Sequence, residues 1–356
     1  MSEIAPKTRP GNLLLAIESS CDETAVAILR SGTQIVASVV ASQIDLHRAY
    51  GGVVPELASR AHLSLIIPLL DQALKEAGCD HFGRSRDGSD AISAVGATYG
   101  PGLIGPLLVG VSAAKSLSLA WGVPFVGVNH LEAHLYGALL EDPDMNFPAV
   151  VLLVSGGHTL LISMQAPGRY SVFGSTVDDA AGEAFDKVAR YLGLGFPGGP
   201  AIEQAAGALS GDARTKDHVR FTPPMLNDGL DFSFSGLKTA VVQYVDAHPE
   251  VSSAVVAAAF QESAIEVLVK KTERCAELIS ARSICLAGGV AANGPLRELM
   301  TQMGERSGRP VYMPSRAMCT DNAAMVAAAA HYRLFVDGPS PLELGAAPNL
   351  AFPSHA

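Results

Sequence analysis

Charge and aromatic bulk are both scarce in this 356-residue chain: 17% of its residues are charged, 6% are aromatic, and there is a single tryptophan. Low charge beside 48% hydrophobic residues excludes an intrinsically disordered chain, which needs the opposite balance. Positive charge is also short. Twenty-five basic against 35 acidic side chains leave a formal −10, the wrong sign for a protein that coats nucleic acid through its overall field. Any nucleic-acid contact must use local patches or a partner. No CxxC pair occurs among the five cysteines, Cys21, Cys79, Cys275, Cys285 and Cys319, and their odd number excludes a simple disulfide framework. A reducing compartment fits best. Residues 1–11 hold no apolar stretch of signal-peptide type and read as a flexible leader. The apolar tract AAMVAAAAHYRLFV from Ala323 is broken by His331 and Arg333 and falls short of the ~20 residues of a membrane span. The expectation is a cytoplasmic protein with no membrane partner. No G-x-S-x-G elbow occurs and Cys21 has no activating neighbour, so covalent catalysis is not supported.

What the chain does have is small residues at turns, 35 glycines and 22 prolines, and an element order written twice. LLLAIESSCDETAVAILR from Leu13 is two apolar runs around a polar turn, followed by a third run from Thr33; AVVLLVSGGHTLLIS from Ala149 repeats the plan, with YSVFGSTV from Tyr170 as the third run. Each half continues with a strand entering a Gly-rich loop and a helix: AISAVG then YGPGLIG, and ICLA then GGVAANG. A short strand and a polar helix start close each half, PFVGV before NHLEAH and PVYMP before CTDNAA. The pattern predicts a duplicated α/β fold of two like lobes with an interlobe cleft, the N-terminal lobe over 12–148, the C-terminal lobe over 149–336, and a C-terminal tail over 337–356. Ligands in such sheets gather beyond the carboxyl ends of the strands, where these turns lie.

His130 and His134 stand four residues apart, one helical turn, which suits two ligands of one ion. The zinc-protease pattern HExxH needs glutamate directly after the first histidine; that place holds Leu131, and Glu132 points to another face. On spacing alone, a metal pair and a plain polar helix face stay equally open. The repeat adds Asp321 from the equivalent place of the second half, and together they would form a 2-His-1-carboxylate set across the cleft. The turns SSCDET and Val154-Ser155-Gly156-Gly157-His158 offer backbone N–H groups to phosphate oxygens. Asn293, in LAGGVAANG, is suited to hydrogen-bonding a sugar or base. Asp186, on a periodic helix near the Gly198-Gly199 turn, reads equally as a ribose acceptor or a solvent-side cap; Lys238 reads as a phosphate or partner contact or, the more usual outcome, a solvated lysine.

Eight ordered motifs, AIESSCDETAVAI, NHLEAH, VSGGHT, DDAAGEAFDK, FPGGP, DFSFSGLKT, AGGVAAN and CTDNAAM, resemble the TsaD family of tRNA threonylcarbamoyladenosine synthases, formerly called O-sialoglycoprotease-like, from about Leu13 to about Val336. The resemblance implies the duplicated actin-like ATPase fold, which is ribonuclease H-like in each lobe. It implies an acyltransferase that moves threonylcarbamoyl from threonylcarbamoyl-AMP to N6 of adenosine 37 in tRNAs reading codons that start with A. The family's metal ligands fall on His130, His134 and Asp321, for one divalent ion, Fe(II) first and Zn(II) second. Its substrate contacts fall on Val154, Ser155, Gly156, Gly157, His158, Asp186, Gly199 and Asn293, with Glu203 where an aspartate is commoner. Partners implied are tRNA and TsaB-like and TsaE-like proteins. Two rival classes are a metal-dependent endopeptidase resting on the histidines, and an actin-fold sugar kinase or ATPase, which typically carries an acidic residue where this chain has Ser155.

Overall fold

The computed structural model describes residues 12–86, 88–209 and 219–354, and the leader expected over 1–11 lies outside them. Strands β1 (Asn12–Glu18), β2 (Glu23–Arg30) and β3 (Gln34–Ser42) form an antiparallel meander, as the three apolar runs predict. Helices α1 (Ile44–Arg48) and α2 (Pro55–Glu76) lead to β4 (Ala91–Gly100), then α3 (Ile104–Trp121), β5 (Phe125–Asn129) and α4 (His130–Glu141). β4 and β5 add parallel to β1, so the sheet order is β3-β2-β1-β4-β5. The second half gives β6 (Ala149–Val154), β7 (Thr159–Ala166), β8 (Arg169–Ser175), α5 (Ala181–Tyr191), α6 (Gly198–Gly207), α7 (Ser235–Ala247) and α8 (Ser253–Leu278). It continues through β9 (Ser283–Ala287), α9 (Gly294–Ser307), β10 (Val311–Tyr312), α10 (Arg316–Cys319) and α11 (Ala323–Val336). Its sheet order, β10-β9-β6-β7-β8, is the first order repeated, with the same parallel and antiparallel pairings. The duplication read from the sequence is therefore present strand for strand.

One boundary differs from the expectation. The chain divides into two compact units, the second holding Asp142–Thr320 with Arg48–Gly52, while Asp321–Pro353 joins the first. The last helix of the sequence repeat thus serves the first sheet. The physical reason lies in side-chain size. β1 is buried on both faces: Leu13, Leu15 and Ile17 pack with Ile66, Leu69 and Leu70 of α2, whereas the opposite face carries Ala16 beside Gly96 of β4. Against those small residues α11 lays an alanine-rich surface, and a Cβ placed on Gly96 would stand 2.8 Å from the Ala330 Cβ. Beyond α11 the tail stays with this unit. Ser340 N–H donates to Phe125 O at 2.8 Å and Ala347 N–H to Tyr99 O at 2.7 Å, so the segment straps the β4 and β5 ends of the sheet.

The second core gathers Val150, Leu152 and Val154 of β6 with Phe185 and Val188 of α5 and Phe260 of α8. α3 is long and apolar enough to cross a membrane by length and composition, and in this fold it packs on β4 and α2.

Gly96→Val should overpack the contact between β4 and α11. The expected loss is about 1–3 kcal/mol, read as a lower urea midpoint with an unchanged slope; a wild-type midpoint would show that α11 does not depend on this close approach.

Candidate metal centre

The first unit brings His130, His134 and Asp321 together, each offering one ligand atom, all within 4.8 Å of one another. The expected set is present, but it assembles inside one unit, because the chain from Asp321 onward belongs with β1–β5. Both helices that carry it start on an asparagine cap. Asn129 Oδ1 accepts from Leu131 N at 2.9 Å and Glu132 N at 3.2 Å, and Asn322 Oδ1 accepts from Met325 N at 3.0 Å. His130 directly follows one cap and Asp321 directly precedes the other. The backbone beside each ligand is thereby fixed, and Ala351 O, accepting from Asn129 Nδ2 at 2.9 Å, anchors the first cap to the tail.

His130 Nε2 lies 3.5 Å from Asp321 Oδ1, and His134 Nε2 lies 3.4 Å from the same oxygen. The His134 ring is 2% exposed, and among the described residues its Nδ1 has no hydrogen-bond partner while its Nε2 faces Asp321 Oδ1 at 3.4 Å. A buried imidazole nitrogen without a partner is costly. Two imidazole nitrogens and a carboxylate oxygen converging this way fit a divalent ion of the Fe(II) or Zn(II) kind.

Sequence reasoning missed Glu18, the polar end of the otherwise apolar strand β1. It is fully buried, accepts from Ser20 N and Thr98 Oγ1 at 2.6 Å each, and faces His130 Nδ1 at 3.0 Å. A carboxylate behind a ligating histidine holds its proton on Nδ1 and presents Nε2 to the ion. Burial alone would raise the Glu18 carboxyl, but the His130 ring holds it below the ordinary range. Burial likewise opposes the charge on His130, and Asp321 and then Glu18 overcome it, lifting its pKa to about 9. Asp321 is pushed down to about 2, its burial being outweighed by His130 and His134. The pocket favours a cation. The signal in the sequence was a lone glutamate closing the run LLLAIE.

The SSCDET turn is tied to this centre. Ser19 Oγ donates to Pro106 O at 2.9 Å, and Ser20 Oγ lies 3.2 Å from His130 Nδ1. Burial, then Asp22 and Asp321, push the Cys21 thiol well above its ordinary range, so it is no thiolate nucleophile. Its counterpart in the second unit is open. Ser155 N–H donates to His158 O at 2.8 Å, and a Cβ on Gly156 or Gly157 would meet nothing within 4 Å. Around that turn the other expected residues form a ring of contacts. A Cβ on Gly182, at the start of α5, would come within 2.6 Å of Ser155 O, and one on Gly288 would overlap Val154 O. Asp186 Oδ1 accepts from Gly198 N at 2.7 Å, holding the start of α6 beside Gly199. Glu203, from α6, accepts from Gly294 N and Asn293 Nδ2 at 3.2 Å each. Asn293 also donates to Gln261 Oε1 at 3.0 Å and caps α9 through Leu296 N. Lys238 is ion-paired with Asp179 at 2.7 Å. Glu132, between the two histidines, is paired with Arg333 at 2.8 Å.

The family model for tRNA N6-adenosine threonylcarbamoyltransferase, TsaD, matches residues 34–328. A Moorella thermoacetica protein of that name is 50% identical over 355 residues, covering 98% of this chain and 99% of its own. One from Carboxydothermus hydrogenoformans is 48% identical over 341 residues, covering 96% and 98%. The chain belongs to the TsaD family. It is therefore an enzyme, an acyltransferase. Among solved structures, HypF from T. kodakarensis superposes with a TM-score of 0.63 at 12% identity, over 96% of this chain and 51% of that one. Component A of the Acidaminococcus fermentans (R)-2-hydroxyglutaryl-CoA dehydratase gives 0.53 at 15% identity, over 90% and 97%. These likenesses establish the actin-like ATPase fold.

Glu18→Gln should leave the fold intact and weaken the divalent metal by about 10–100-fold, measured by chelator competition. An unchanged affinity would remove Glu18 from the support of His130.

Proposed function

We propose that this enzyme transfers the threonylcarbamoyl group from threonylcarbamoyl-AMP to N6 of adenosine 37 in tRNAs reading codons that start with A. The observation that carries the reading is the cluster of His130, His134 and Asp321, with the buried rings of His130 and His134 both turned to one Asp321 oxygen, in a chain of this family. In the reaction the adenine N6 attacks the carbamoyl carbon, a C–N bond forms, the bond from that carbon to the phosphate oxygen breaks, and AMP leaves with the electron pair. N6 gives up one proton.

The adenylate is the ligand of the second unit. The Val154–His158 turn is open at Gly156 and Gly157, where a side chain would meet nothing within 4 Å, so its backbone is suited to phosphate oxygens. Gly199, at the start of α6, adds a helix N-terminus. Asp186, Asn293 and Glu203 act in this reading chiefly by fixing the starts of α6 and α9, since their polar atoms already hold Gly198, Gly294 and Leu296.

In the first unit His130, His134 and Asp321 would hold one divalent ion, Fe(II) on the preference of a 2-His-1-carboxylate set, with Zn(II) as the alternative. When bound, such an ion supplies Lewis acidity toward a carbonyl or phosphate oxygen. Glu18 orients His130, and the rings of His130 and His134 are buried. Adenine N6 is a weak nucleophile, so orientation and stabilisation of developing charge carry most of the rate effect. TsaB-like and TsaE-like proteins serve as helpers for an acidic chain that must meet tRNA, and the cytoplasm is the compartment. The endopeptidase alternative lacks its general base, because Glu132 is held by Arg333.

Reconstitution with tRNA, threonylcarbamoyl-AMP and the helper proteins should yield the modified adenosine by mass spectrometry. Asp321→Ala should lower the yield rate by more than about 100-fold, beyond what an outer partner of a ligand contributes, together with its metal content. Gly156→Val should weaken AMP binding and leave the metal in place. Absence of product with every component present, or full activity in Asp321→Ala, would refute the assignment.

A further inference from the structure

We propose that Glu132 and Arg333 are a positioning pair that sets the rotation of α4 against α11 and, through it, the geometry of the metal ligands. The inference rests on the reading of His130, His134 and Asp321 as those ligands. Helical residues step by about 100°, so His130 and His134 lie about 40° apart while Glu132 stands about 200° round from each. The glutamate therefore occupies the far side of α4 from the site, and there it is 1% exposed. Arg333 closes on it with two hydrogen bonds, Nε to Oε2 at 3.0 Å and a terminal nitrogen to Oε1 at 2.8 Å. A third N–H reaches Asp337 Oδ2 at 2.8 Å. Glu132 overcomes the burial of the guanidinium and raises its pKa further.

The pair is placed where it has leverage. Arg333 lies ten residues beyond Ala323, about 15 Å along α11 from the end that carries Asp321. α4 thus meets α11 through the site on one side and through the Glu132–Arg333 fork on the other, and the Tyr136 and Tyr332 rings, 5.6 Å apart, pack beside the fork. Turning α4 to move His130 away from Asp321 would pull Glu132 out of a bidentate contact inside the protein. The alanine surface of α11 lets it approach closely but is nearly featureless, so it specifies rotation poorly. A buried ion pair adds little to stability over an apolar pair, and its best-attested use is to specify register.

Zn(II) binding to the metal-stripped full chain, measured by chelator competition beside a urea midpoint, separates the alternatives. Arg333→Met leaves Glu132 buried and uncompensated, and should lower both the midpoint and, by about tenfold, the affinity. Glu132→Leu with Arg333→Met should regain most of the midpoint while Zn(II) stays about tenfold weaker, and Arg333→Lys should restore part of the affinity. A double variant that regains its midpoint and binds Zn(II) like the parent overturns the positioning role. His134→Ala is the separate control: if it abolishes Zn(II) binding, the ligand assignment stands whatever the double variant does. If it leaves binding unchanged, the ligand assignment fails and this inference with it.

Discussion

Two carboxylates, the fully buried Glu18 and the partly buried Asp321, stand beside two imidazoles, and such an arrangement is tolerable only when positive charge sits among them. Much of the first unit answers that requirement. Thr98 and the Ser20 amide satisfy oxygens of Glu18, asparagine caps fix the helix starts on which His130 and Asp321 stand, and the tail anchors one of those caps. The field that lifts His130 to about 9 is the same field that would retain a dication. Ligand strength and electrostatic need therefore come from one set of groups.

Duplication supplied two copies of each turn, and the copies have diverged in use. The first, at Ser19 to Thr24, is closed over by its own hydroxyls and by His62 of α2, whose ring lies 2.7 Å from Thr24 Oγ1 and 3.0 Å from Cys21 O. The second, at Ser155 to His158, keeps Gly156 and Gly157 bare. The same topology thus gives a closed turn beside the His130, His134 and Asp321 cluster in one unit and an open turn in the other. The difference is one of side chains, since the strand order is identical.

Legibility in the sequence followed the range of the forces involved. Apolar runs and Gly-rich turns are local signals, and they led to the three-strand meander and the two later strands of each half. The i, i+4 histidines are local as well. What could not be read was the tertiary placement of α11, because an alanine-rich helix carries almost no stripe to show which sheet it will cover. Hence Asp321 was expected from the wrong side. Glu18 was missed for a related reason: a glutamate at a strand end reads as the edge of the core, and only the arrival of His130, 112 residues later, makes it internal. Asp186 and Asn293 entered as contact residues through the family resemblance, while the bonds that hold them, to Gly198 N and to Gln261 Oε1, follow from how α6 and α8 pack and leave no local mark in the sequence.

The stretch VNHLEAHL shows how several constraints can share eight residues. Asn129 begins the helix, His130 and His134 face the site, and Glu132 faces away toward Arg333. In a zinc protease the glutamate would follow the first histidine and lie near the ion as a base. Moved one place on, it falls on the opposite side of the helix, where a base would be useless and an anchor is useful. That single displacement removes proteolysis from the chemistry of the site and leaves two imidazoles to act as ligands. A third ligand for an ion, an oxygen, must then come from elsewhere, and the close packing of α11 on Ala16 and Gly96 is what delivers Asp321 to within 3.5 Å of both rings.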